Sequence, residues 1–81
     1  MEIQLRLYGA LRRYRPLGAP EFGAFTLEVA EGATAGAAAD RLGIPRSWLR
    51  GAFVNDEASS LDRALRQGDR VAFFPPAGGG R

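Results

Sequence analysis

The chain reads as an α+β domain, a mixed sheet of four to five strands with one main helix packed on one face. Three observations predict it. Strand-period alternation recurs in several short segments, a single alanine-rich stretch of helical length lies between turn signals, and the order is β-β-α-β-(short helix)-β. Strands around one helix call for two layers, and the natural closed solution sets the first and last strands side by side at the centre.

Glu2-Ile3-Gln4-Leu5-Arg6-Leu7-Tyr8 alternates polar and apolar residues, so Ile3, Leu5 and Leu7 point inward. Gly9 to Gly23 is irregular: Leu11-Arg12-Arg13-Tyr14 suits one helical turn, and Pro16, Gly18 and Pro20 break anything longer. Phe25, Leu27 and Val29 share the inner face of a second strand, antiparallel to the first. Thr34 is the candidate N-cap of a helix from Ala35 to Leu42, stopped by Gly43 and Pro45. Gly36 inside it costs about 1 kcal/mol relative to alanine and is expected to let the helix approach the sheet closely. Arg46 to Arg50 suits a second short turn, with Trp48 in the core or at its edge.

Ala52-Phe53-Val54-Asn55 is a short strand running into an Asn-Asp turn. Leu61 and Leu65, four apart, suggest a one-turn helix, and Gln67-Gly68-Asp69 a tight turn. Arg70 to Phe74 is the last strand, with Val71 and Phe73 on one face and Phe74 on the other. Pro75 and Pro76 cannot donate to a ladder, so pairing stops there, and Ala77 to Gly80 offers nothing that docks as helix or strand. The expected organisation is a domain over 1–76 and a flexible glycine-rich tail over 77–81.

Composition narrows the chemistry. The 81 residues include no cysteine, histidine or lysine, and all eleven basic residues are arginine. Thiolate, imidazole and Schiff-base chemistry are therefore excluded, and no carboxylate pair is placed by spacing to share a substrate. Asp56 and Glu57 are adjacent but fall in a turn. A metal site and independent catalysis are not expected. A net charge of +2, without a dense basic run, does not point to nucleic acid. With no apolar run of spanning length and no secretory pattern, the expectation is a cytoplasmic protein without a membrane partner.

Five segments together resemble the ubiquitin-like β-grasp sulfur carriers of the MoaD/ThiS family. They are Leu7-Tyr8-Gly9-Ala10-Leu11-Arg12, Val29-Ala30-Glu31-Gly32-Ala33-Thr34, Val54-Asn55-Asp56-Glu57, Leu65-Arg66-Gln67-Gly68-Asp69-Arg70-Val71 and Phe74-Pro75-Pro76-Ala77-Gly78-Gly79-Gly80. The Phe-Pro-Pro before the glycines looks more like the small subunit of molybdopterin synthase than the thiamine-pathway carrier.

The resemblance implies a β-grasp fold and a C-terminal glycine carboxylate adenylated by a ubiquitin-activating-like enzyme, which uses ATP. Sulfur then replaces AMP to give a thiocarboxylate. It also implies a sulfur-accepting partner, the synthase large subunit or its equivalent, and no cofactor bound by the carrier itself. On this chain the reactive residue is Gly80, or Gly79 as the alternative end, and the implied partner contacts are Phe74, Pro75, Pro76, Ala77 and Gly78 with Tyr8. The alternation allows Phe74 and Tyr8 either to form an exposed apolar patch or to cap the core. Arg12 or Arg70 could pair with acidic partner residues or remain solvated.

Arg81 departs from the family's glycine end. Its removal would leave Gly80 reactive, its retention points to a diverged binding module, and an artificially added residue is a third possibility. A ubiquitin-like protein modifier is a further alternative.

Overall fold

The computed structural model describes residues 1–76. Its five strands are β1 (Glu2–Leu7), β2 (Phe25–Glu28), β3 (Gly51–Val54), β4 (Glu57–Ser59) and β5 (Arg70–Phe74), and its helix is α1 (Ala35–Leu42). They form one sheet in the order β2-β1-β5-β3-β4. β1 and β5 are parallel neighbours at the centre, Leu5 opposite Val71 and Leu7 opposite Phe73, and every other pairing is antiparallel.

Alternation decides which face is buried. Ile3, Leu5 and Leu7 of β1 and Val71 and Phe73 of β5 are buried, together with Ala52 and Val54 of β3 and Phe25 and Leu27 of β2. Burying each large side chain contributes about 1.5–3 kcal/mol. The helix meets them through Ala35, Ala38 and Ala39, which have no exposed surface. These short side chains, rather than Gly36, form the helix's share of the core. A Cβ on Gly36 would lie 2.7 Å from Arg46 Nη2. The Arg46 guanidinium covers that glycine while its Nε and Nη2 donate to both oxygens of Asp40 at 3.1 and 3.0 Å.

The ends of α1 are tied down as its sequence signals require. The Thr34 hydroxyl accepts from the Ala37 N–H at 3.1 Å, and Gly43 returns its N–H to Ala39 and Asp40. Two further N-terminal N–H groups, of Ala35 and Gly36, donate to the carbonyls of Arg63 and Leu61 at 2.9 and 2.8 Å.

That use of carbonyls explains why Leu61 to Leu65 is not the expected one-turn helix. The segment is a turn whose Asp62 N–H donates to Ser60 Oγ, whose Ala64 bridges Thr34, and whose Leu65 is buried. It caps α1 from outside, so its carbonyls face another element instead of its own next turn.

Two other expectations change. Asn55 and Asp56 both take left-handed backbone angles (φ 52° and 70°), the geometry of a two-residue hairpin turn, and the chain folds straight back as β4. Trp48 lies in a short 3-10 turn (Arg46–Trp48) and keeps 37% of its surface exposed, outside the core. A second 3-10 helix (Gly9–Tyr14) follows β1 and buries only Leu11.

Candidate functional site: the open sheet face at the end of β5

On the face away from α1 the same alternation sets out Gln4 and Arg6 of β1, Arg70, Ala72 and Phe74 of β5 and Phe53 of β3. β1 ends at Leu7, and Tyr8 follows with extended backbone angles, which puts its ring on this open face. The Tyr8 and Phe74 rings stack, 4.7 Å between centroids and 5° between planes. Phe53 meets Phe74 edge-on at 5.1 Å. Tyr8 and Phe53 are 37% and 41% exposed. Of the two readings the alternation allows, the structure gives the patch: these rings lie over the sheet rather than in the core. Phe53 belongs to it too, and its alternation with the buried Ala52 and Val54 is the sequence signal that could have included it. Beside the rings lies a shallow depression of about 290 Å³, lined by Gln4, Arg6, Tyr8, Phe53, Arg70 and Ala72 among others.

The backbone of β5 is held on both sides up to the patch. The Tyr8 N–H donates to Phe73 O at 3.2 Å and the Arg50 N–H to Phe74 O at 2.9 Å. Pro75 then offers no donor, and the ladder stops. Pro75 leaves the sheet against Gly9, where φ is +57° and a Cβ would lie 3.1 Å from Pro75 Cγ. Glycine at this position therefore serves both the turn after β1 and the passage of the chain out of β5. Pro76 is half-buried. The other expected site residues, Ala77, Gly78, Gly79 and Gly80, and with them Arg81, lie outside the described residues.

Electrostatics at the other end of β5 are internally satisfied. Arg70 Nη2 donates to Asp56 Oδ2 at 2.9 Å, so this guanidinium is already engaged. Asp69 accepts from Asn55 Nδ2 at 3.0 Å and from the Arg66 N–H at 2.8 Å. Burial pushes the Asp69 carboxyl up, but these two hydrogen bonds and the charges of Arg63 and Arg66 outweigh it, and its pKa lies below the ordinary value. The hydrogen bond from Arg46, aided by its charge, likewise holds Asp40 below the usual carboxylate range. Arg12 sits over the Phe22 ring, 4.6 Å from its centroid.

Among the described residues no group of three or more His, Cys, Asp or Glu side chains is arranged to hold a metal, and no helix is long and apolar enough to cross a membrane. Among the described residues the site has a locked strand end and an aromatic surface, and the charged pair in its depression, Arg70 and Asp56, is engaged with itself.

A mixed five-stranded sheet grasping one helix, with the C-terminal strand central and leaving beside an apolar patch, defines a ubiquitin-like β-grasp protein. The family model of the ThiS family matches residues 6–80, and the chain belongs to that family. Similar solved structures include two of small archaeal modifier protein 1 from Haloferax volcanii. They are 22% and 24% identical with TM-scores of 0.67, covering 94% and 93% of this chain and 96% and 97% of theirs. A protein assigned as molybdopterin converting factor subunit 1 from Pyrococcus furiosus is 18% identical with a TM-score of 0.65, covering 93% of this chain and 97% of its own. None of the curated proteins matches the chain significantly in sequence.

Proposed function

We propose that this protein is a sulfur carrier whose C-terminal glycine is adenylated and converted to a thiocarboxylate, with sulfur delivered in molybdopterin biosynthesis. The observation that carries this reading is the end of β5. Its central strand is hydrogen-bonded on both flanks through Phe74 and released at Pro75, so the chain that follows starts from a fixed point beside an aromatic surface. Membership of the ThiS family, matched as far as Gly80, supports it.

The chemistry suits a protein with few reactive side chains. A free carboxylate is a poor acyl donor because its departing oxygen is a bad leaving group. Attack of the Gly80 carboxylate on the α-phosphate of ATP releases pyrophosphate and makes AMP the leaving group. A sulfur nucleophile then takes its place on the acyl carbon. The activating partner supplies ATP binding and catalysis, and the carrier supplies the carboxylate and the docking surface. Gly78, Gly79 and Gly80 have no side chains to block a narrow channel. Arg81 is removed first in this scheme, leaving Gly80 as the reactive end with Gly79 as the alternative. The sulfur-accepting partner is the large subunit of a molybdopterin synthase, a role in keeping with the converting-factor subunit among the similar structures.

Incubating the form ending at Gly80 with ATP and a ubiquitin-activating-like enzyme should produce an acyl-adenylate, detected by intact mass and by pyrophosphate exchange. Absence of adenylate on forms ending at Gly79 and at Gly80 would end the proposal.

The two similar structures of an archaeal modifier protein favour one second reading, conjugation of the same glycine to lysines of other proteins. Denaturing gels of cell extracts probed for this protein separate the two, since a carrier alone gives no larger covalent species.

A further inference from the structure

The sheet registers sort the charges of this molecule by end. β1 and β5 finish at the same end, where the Gly9–Tyr14 turn begins and β3 starts. Around that exit stand Arg6, Arg12, Arg13, Arg15 and Arg50, none of which makes an ion pair among the described residues. Of the acids near this end, Asp40 is taken by Arg46 and Asp62 lies within the field of the same guanidinium, which leaves Glu21. The opposite end of the sheet carries Glu2, Glu28, Asp56, Glu57 and Asp69, and there Arg63 and Arg70 are spent on Glu57 and Asp56. A net charge of +2 thus conceals a strong polarity, with the uncompensated positive charge gathered where the C-terminal segment leaves.

The collar and the rings form one surface. Arg6 lines the same depression as Tyr8 and Phe53, and the Arg50 N–H is bonded to Phe74 O. Arg12 sits over Phe22, in the loop that leads to Ala24 on the depression's rim. Asp56 and Arg70, which also line the depression, are paired with each other, so the uncompensated charge on the rim is positive. Such a surface fits a protein surface of the inverse pattern, because complementary rims steer encounter and fix orientation while the apolar centre supplies contact area.

We propose that the protein docks through this end onto a partner protein whose tail-receiving slot is apolar and ringed by carboxylates, with Arg6, Arg12 and Arg50 as the steering residues. This deepens the carrier reading and rests on it for the identity of the partner.

The test is stopped-flow association with the ubiquitin-activating-like enzyme, across a salt series, with adenylation followed in parallel. Wild-type association should slow steeply with ionic strength. Arg6→Glu, Arg12→Glu and Arg50→Glu should each lower the association rate constant about three- to tenfold at low salt, raise KM in step, leave kcat at saturation unchanged and flatten the salt dependence. Arg66→Glu, the same change in net charge at the far end, should leave association within about twofold of wild type. Circular dichroism of each variant confirms the fold.

Adenylation with a KM indifferent to the three reversals would overturn the docking proposal while leaving the carrier reading intact. Arginine-dependent, salt-sensitive binding without adenylate would uphold the docking and overturn the carrier reading. Failure of the enzyme to bind, or tight binding of polyuridylate RNA through the same arginines with enzyme binding unaffected, would overturn the docking.

Discussion

Two adjacent phenylalanines of β5 face opposite worlds. Phe73 has no exposed surface and sits between the sheet and α1, whereas Phe74 lies on the open face between Tyr8 and Phe53. One residue of register separates a side chain that holds the domain together from one on the face proposed for docking. On the carrier reading proposed above, stability and function are divided between the two faces of a single strand.

The largest expected effect tests that division directly. Phe73→Ala should cost about 3–5 kcal/mol, enough to unfold much of so small a domain, as read by urea denaturation. Phe74→Ala removes two aromatic contacts and should cost about 1–2 kcal/mol, leaving a folded protein. In adenylation assays at a temperature where both variants are folded, the order should reverse, with Phe74→Ala the poorer substrate. Equal loss of stability in the two variants would break the comparison.

Gly9 joins the faces, because the chain turns there after β1 while Pro75 passes over it. Gly9→Ala should destabilise by about 1–2 kcal/mol from its left-handed backbone alone and displace Pro75, so KM for the activating enzyme should rise as well. A change in stability without a change in KM would separate the glycine from the exit. Thr34→Ala, on the buried side of the molecule, should cost about 1 kcal/mol through loss of the helix cap and leave KM unaltered.

Much of this was legible in the sequence, for reasons that differ by element. β1, β2 and β5 announce themselves because each buries one face, which forces period-two alternation on Ile3-Leu5-Leu7, Phe25-Leu27 and Val71-Phe73. α1 is framed by Thr34 and Gly43, whose capping roles are local.

β4 was missed because Glu57-Ala58-Ser59 is an exposed edge strand with no buried face to impose a pattern. Its signal lay in the left-handed Asn-Asp turn before it. The Leu61–Leu65 spacing suggested a helix because both leucines turn inward, but the carbonyls of Leu61 and Arg63 are claimed by the start of α1, a tertiary demand invisible to local reading. Tyr8 and Phe74 could be placed by parity alone, whereas the stacking between them required the parallel register of β1 on β5.

The smallest effect concerns acid. Asp69 has a folded pKa below its unfolded value of about 3.9, so its hydrogen bonds stabilise the fold above that pH. The contribution fades as pH falls from about 4 through the lower folded pKa. Asp69→Asn should therefore lower stability at neutral pH and flatten the acid limb of a pH–denaturation curve. An unchanged acid limb would mean that the Asn55 and Arg66 contacts do not hold that turn.

The state of the C-terminus in the cell decides whether this chain carries sulfur. Intact-mass analysis of protein isolated from its native source should find chains ending at Gly80, a fraction of them heavier by the replacement of one oxygen with sulfur. Chains that all retain Arg81 and an ordinary carboxylate, in cells actively making the sulfur-containing product, would contradict it.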